Sequence, residues 1–144
     1  MINALLLRVH QSGHLAELSP RRRELVKEAL DYYKKIRADI PHALPFWPLG
    51  LPTAQDDWVS LGLRKDDRIY LAVWWVKDSI SENNSMPNRK TLPLHFLKGK
   101  GLDVQCAYPQ GFAGDVAWAA ASGELEVLLP AAKTARLYEI IVKK

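Results

Sequence analysis

The chain holds one cysteine, Cys106, and two methionines in 144 residues. A single thiol cannot close an internal disulfide, so disulfide-stapled secreted scaffolds are excluded, and a reducing cytoplasm is the expected compartment. No apolar run approaches the roughly 18 residues that a bilayer-spanning helix requires. The opening residues, MINALLLRVHQSG, lack the basic start and the long apolar stretch of a signal peptide. Charge of one sign is also scarce. Twenty Lys and Arg face 16 Asp and Glu, a net +4 scattered along the chain, which is thin for an electrostatic footprint on nucleic acid. Neither nucleic acid nor a membrane is an expected partner. No Gly-rich phosphate loop occurs, and no Ser or Cys sits in a nucleophile motif.

What is present is ample apolar matter, 48% of residues, enough for a globular chain of this length to bury about 70% of its unfolded surface. Ala4 to Val9, ALLLRV, is apolar on successive positions rather than alternate ones, which suits a strand covered on both faces, as in a parallel sheet. Ser19-Pro20 is a helix start: a capping hydroxyl, then a proline where a missing N–H costs nothing. Behind it Leu25, Val26, Ala29, Leu30, Tyr33 and Ile36 recur at spacings of three and four, predicting an amphipathic helix over Arg21 to Arg37 that ends before Pro41. Lys27, Asp31 and Lys35 are spaced for ion pairs on its outer side.

The nine residues LPFWPLGLP, Leu44 to Pro52, carry three prolines and a glycine among apolar side chains. Proline allows neither a regular helix nor a central strand there, so an ordered apolar connector is expected, with Phe46, Trp47 and Leu49 forming a seam between its two neighbours. Beyond it the period becomes two. Trp58 to Arg64 and Arg68 to Val76 read as an antiparallel hairpin about Lys65-Asp66-Asp67, with Ile69, Leu71, Val73 and Trp75 on one face and Tyr70, Ala72 and Trp74 on the other. Further short runs at Lys90–Leu94, Leu102–Ala107, Val116–Ala119, Glu124–Leu129 and Arg136–Val142 are punctuated by Gly and Pro. The predicted class is mainly β: an antiparallel β-sandwich over 58–144, after a strand-loop-helix segment at 1–43 and a connector at 44–57.

The residue types that carry chemistry are sparse. His10 and His14 stand four apart, a metal-ligand spacing on a helix, but Gly13 interrupts them and no further ligand lies at motif spacing, so no metal or other cofactor is expected. Glycoside hydrolysis needs two carboxylates flanking a bond. The tandem pairs Asp56-Asp57 and Asp66-Asp67 point apart on extended chain and read as a strand start and a turn. Five tryptophans, Trp47, Trp58, Trp74, Trp75 and Trp118, are numerous enough for a free-standing carbohydrate-binding or interaction module to be the rival reading. Alternation nonetheless puts either Trp74 or Trp75 in the core. Arg21-Arg22-Arg23 opposes the helix dipole and reads as a solvated or interface-facing run. Cys106 reads as a buried thiol.

In order along the chain, RVHQSGHLAELSP, ELVKEALDYYKKIR, IPHALPFWPLGLP and DDWVSLGLRKDDRIYLAVWW, then more weakly VLLPAAKTARLYEI, resemble the C-terminal region of family-36 glycoside hydrolases, the α-galactosidase-like enzymes of clan D. The resemblance implies a (β/α)8 catalytic barrel followed by an antiparallel β-domain. Ala4 to Val9 would be the last barrel strand and Arg21 to Arg37 the last barrel helix. The parent reaction would be retaining hydrolysis of terminal α-galactosides by two aspartates on earlier strands. Those strands are not in this sequence, so no catalytic residue carries over. Gln11, Ser12 and His14, at the end of the expected barrel strand, would border the sugar. The implied partners are the remainder of a barrel, or another copy of the chain, and a galactoside-type carbohydrate in the intact enzyme.

Overall fold

A computed structural model describes residues 1–10, 14–77, 88–111 and 115–143. Among the described residues the elements are two α-helices, α1 (Ile2–Leu5) and α2 (Pro20–Ile36), three short 3-10 turns (Leu15–Glu17, Ile40–His42 and His95–Leu97), and eight strands: β1 (Leu44–Phe46), β2 (Trp58–Lys65), β3 (Arg68–Trp75), β4 (Arg89–Pro93), β5 (Leu102–Tyr108), β6 (Val116–Ala119), β7 (Glu124–Leu128) and β8 (Thr134–Val142). They form two antiparallel sheets, ordered β1-β2-β3-β8-β5 and β4-β7-β6. Among the described residues no helix is long and apolar enough to cross a membrane.

The alternation of β3 explains the layering. Ile69, Leu71, Val73 and Trp75 point into the space between the sheets, where they meet Leu92, Leu94, Leu125, Val127 and Tyr138. Tyr70 and Ala72 point the other way and meet Leu63 and Leu137 beneath the helices. The larger sheet is therefore buried on both sides, which accounts for the near-continuous burial of β3 from Ile69 to Val73. The β2–β3 hairpin pairs Trp58 with Trp75 at one end and Lys65 with Arg68 at the other. The two indoles stack with centroids 5.3 Å apart and planes 5° from parallel. Asp66, at φ 55°, makes the tight reversal, a conformation that Asp tolerates better than most residues.

Helix α2 begins as expected, with Ser19 at the N-cap and Pro20 first in the helix, although the Ser19 side chain makes no capping bond. Lys27 and Lys34 both approach Asp31. The buried line is rotated from the predicted stripe. Ala29, Tyr32 and Ile36 are the buried residues, while Leu25, Val26 and Leu30 stay half-buried. Tyr32 can enter the contact because its hydroxyl has somewhere to go: it donates to Glu139 Oε2 at 3.1 Å.

Residues 4 to 9 correct the strand expectation. Ile2–Leu5 is a helical turn, and residues 6 to 10 are in no strand. The edges of the larger sheet are β1 and β5, and residues 6 to 10 pair with neither. The segment turns on itself instead and drives Ile2, Leu5 and Leu6 into the cluster beneath the helices. Full burial of a leucine is worth about 1.5–3 kcal/mol, and that term outweighs strand propensity here.

Candidate functional site

The sequence-derived candidates do not gather in one place. Gln11 and Ser12 lie outside the described residues. His14 is exposed and lies 3.7 Å from Glu17 Oε1, an i,i+3 pair on the surface. His10 is also exposed. Asp56 is used locally, accepting from the Thr53 backbone at 2.6 Å and from its hydroxyl at 3.0 Å, and these bonds hold its carboxyl below the usual range. The Asp57 carbonyl receives the Val76 N–H at 2.6 Å. Among the described residues no three His, Cys, Asp or Glu side chains come together to hold a metal.

The connector lies elsewhere than expected. Leu44–Phe46 is an edge strand paired with Gly62–Arg64, where Pro45 is tolerated because an edge position needs no N–H. Phe46 and Leu49 pack against the cluster between the sheets, not against α2. Leu49 is fixed by its N–H, 3.2 Å from Ser60 Oγ. Trp47 turns outward and is 41% exposed, so it does not join Phe46 and Leu49 in a seam. Helix and sheet meet instead through Ala29, Tyr32 and Ile36 against Tyr70, Ala72 and Leu137. Phe46 meets Phe96 edge-on, with centroids 5.3 Å apart and planes at 81°, and the Arg64 guanidinium lies 5.2 Å from the Phe96 ring centroid.

A polar constellation at the C-terminal end of α2 was not visible in the sequence. Lys65 Nζ lies 2.5 Å from Asp39 Oδ1, and the Tyr70 hydroxyl donates to Asp39 Oδ2 at 2.6 Å. Arg68 lies 3.2 Å from Glu139 Oε1, and Tyr32 donates to the other oxygen of that carboxylate. The hydrogen bond from Lys65, then that from Tyr70, holds the Asp39 carboxyl below the ordinary aspartate range. Burial first, and the bond to Asp39 second, pushes Tyr70 up to about 12. Tyr32 is raised by burial and by Glu139. Both phenols therefore stay protonated and donate, and both carboxylates are satisfied by cations. Such a set locks a helix to a sheet; it offers no unengaged base or nucleophile.

Cys106 is half-buried, with its thiol 3.5 Å from the Pro109 carbonyl oxygen. Desolvation raises its pKa, which makes it a poor nucleophile. Trp118 is half-buried and donates its N–H to the Lys100 carbonyl at 2.9 Å. Trp74 donates its own to Asn3 Oδ1 at 2.8 Å. Trp74 also lines a cleft of about 470 Å3 formed by residues 1–3, 74–76, 108–109 and 133–135. No protein-family model matches the chain, and no curated protein matches it.

Proposed function

We propose that this chain is the C-terminal portion of an α-galactosidase-like glycoside hydrolase, a structural accessory β-domain with no active site of its own. The observation that carries the reading is the direct continuity of α2 with the sandwich. The helix seats Ala29, Tyr32 and Ile36 on the outer face of the larger sheet, and the chain then runs through the apolar connector, which opens with β1, into β2. The same helix keeps Leu25, Val26 and Leu30 half-buried, apolar surface suited to further packing against the remainder of a barrel or another copy of the chain. Retaining hydrolysis of terminal α-galactosides would be the work of that remainder.

Two measurements test the proposal. The chain alone should release no p-nitrophenol from p-nitrophenyl α-galactoside, and the gene upstream of Met1 should encode an in-frame barrel with two acidic catalytic positions. Hydrolysis by the isolated chain would overturn the structural role. An upstream stop codon, together with a monodisperse monomer that binds no apolar dye, would overturn the assignment to a larger enzyme.

A second reading, a free-standing interaction module, is favoured by a separate patch. Leu44, Trp47, Leu51 and Phe96 are all exposed, and Leu44 and Phe96 line one shallow pocket together with Arg64. Retention of the folded chain as a monomer at high concentration would weigh against use of that patch for self-association.

A further inference from the structure

We infer that the outer edge of β5 is the surface on which a second copy of the chain docks, by antiparallel pairing of β5 with its own copy about a two-fold axis at Val104. The two sheets have β1, β5, β4 and β6 as their edges. Three of these are blunted by short length, charge or proline, the means by which natural sheets prevent edge pairing. Strand β1 is three residues with Pro45 at its centre, β4 carries Arg89, Lys90 and Pro93, and β6 spans four residues. Strand β5 has seven residues, LDVQCAY, with no proline and one charge.

The phase of the β5–β8 ladder decides which groups β5 offers. The Lys143 N–H donates to the Gly101 carbonyl at 2.8 Å, whereas the Val142 N–H turns the other way, to the Asp67 carbonyl at 2.8 Å. Asp103 stands opposite Ile141 and Gln105 opposite Glu139, so residues 101, 103 and 105 use their backbone groups on β8. Those of Leu102, Val104 and Cys106 point outward, and among the described residues no backbone bond from another element reaches them. The regular edge ends at the bulge between Cys106 and Tyr108.

The side chains select the partner and the register. With the axis at Val104, that residue faces its own copy and Leu102 faces Cys106, and these outward pairs exchange about six N–H···O bonds. Asp103 then stands opposite Gln105 of the second copy, twice by symmetry, a carboxylate against an amide that can donate to it. Both side chains are exposed, and Gln105 already reaches Asp103 of its own chain at 3.4 Å. An axis at Asp103 would instead set two carboxylates face to face. Leu102, Val104 and Cys106 pack against the cluster between the sheets yet stay half-buried, and the second copy covers them. An unrelated strand would use the same backbone groups without this side-chain match. The pairing does not depend on the hydrolase assignment.

Sedimentation equilibrium of the 144-residue chain from about 5 to about 500 μM tests the edge. A reversible dimer with a dissociation constant on the order of 10–100 μM is expected, since pairing of one short strand makes a small interface. Val104→Pro removes the central outward N–H at an edge position, where proline is tolerated. The far-UV spectrum should persist while the dimer weakens about tenfold or more. Gln105→Lys puts an ammonium opposite Asp103 at an exposed position and should tighten the dimer roughly threefold. If Val104→Pro does not fold, Gln105→Lys and cross-linking decide. Val104→Cys in a Cys106→Ala chain should form a disulfide-linked dimer on oxidation, because bonded pairs stand about 5.5 Å apart. The parent chain should not, its Cys106 residues being about 14 Å apart in this register. A monomer throughout the range overturns the inference. So does a dimer undiminished in folded Val104→Pro, one that Gln105→Lys does not tighten, or one that cross-links through Cys106. A monomer alone leaves the hydrolase assignment standing, since overturning that also takes the upstream stop codon, so the two fail separately.

Discussion

Gly62 is fixed by what lies over it. It sits inside β2 at a register position opposite Phe46, and a Cβ added there would stand 2.1 Å from a Phe46 ring atom. The ring cannot simply retreat, because Phe96 meets it edge-on and the cluster between the sheets lies beneath it. Gly62→Ala is therefore expected to destabilise the chain by about 1–3 kcal/mol, the usual cost of forcing extra volume into a packed site. Urea unfolding measures this, and an unchanged midpoint would mean that the Phe46 ring swings clear without loss. The contrast with Trp47, one residue further on, is instructive. Composition gives both aromatics the same promise, but consecutive residues of an extended chain face opposite ways. Phe46 faces inward, and Trp47 stays 41% exposed.

At the level of elements, the end of α2 is held by charge as well as by packing. Asp39 follows the helix and accepts from both Lys65, at the end of β2, and Tyr70 on β3. Its carboxyl is held below the ordinary aspartate value. A depressed folded pKa contributes stability that is fully present above the unfolded value of about 3.9 and is lost as pH falls through the folded one. Asp39→Asn should accordingly lower the urea midpoint at pH 7, with the gap to the parent chain closing below about pH 4. A gap as wide in strong acid as at neutrality would show that packing, not the ion pair, holds the helix end. None of this lock was legible in the sequence. Its partners are separated by 26, 31 and 107 residues for Lys65–Asp39, Tyr70–Asp39 and Tyr32–Glu139, and periodicity reports only on near neighbours. The β2–β3 hairpin was legible for the opposite reason, since its alternation and its Asp-Asp turn are local. Val116–Ala119 was bounded in the same way by flanking turn signals. The ALLLRV run misled because a short apolar stretch fits a buried strand and a buried helical turn equally well.

The whole molecule has two apolar clusters that share one sheet. In β3, Ile69, Leu71 and Val73 belong to the cluster between the sheets, while Tyr70 and Ala72 belong to the cluster under α1 and α2. In β8, Tyr138 and Ile140 face one cluster and Leu137 the other. Losing the helices would bare the face carrying Leu63, Tyr70, Ala72 and Leu137, and losing the smaller sheet would bare the opposite side chains of the same strands. Neither layer can leave without uncovering apolar surface on strands that the other layer needs in place. The sequence divides by composition into a helical segment, a connector and a β-domain, but the packing couples all three. Heating should therefore give one calorimetric transition, with calorimetric and van't Hoff enthalpies equal. Tyr32→Ala, which removes a buried ring at the helix contact, should shift that transition to lower temperature without splitting it. A second, earlier transition in that variant would show the helical layer melting from an intact sandwich, and the residues up to Ala43 would then be a separable cover.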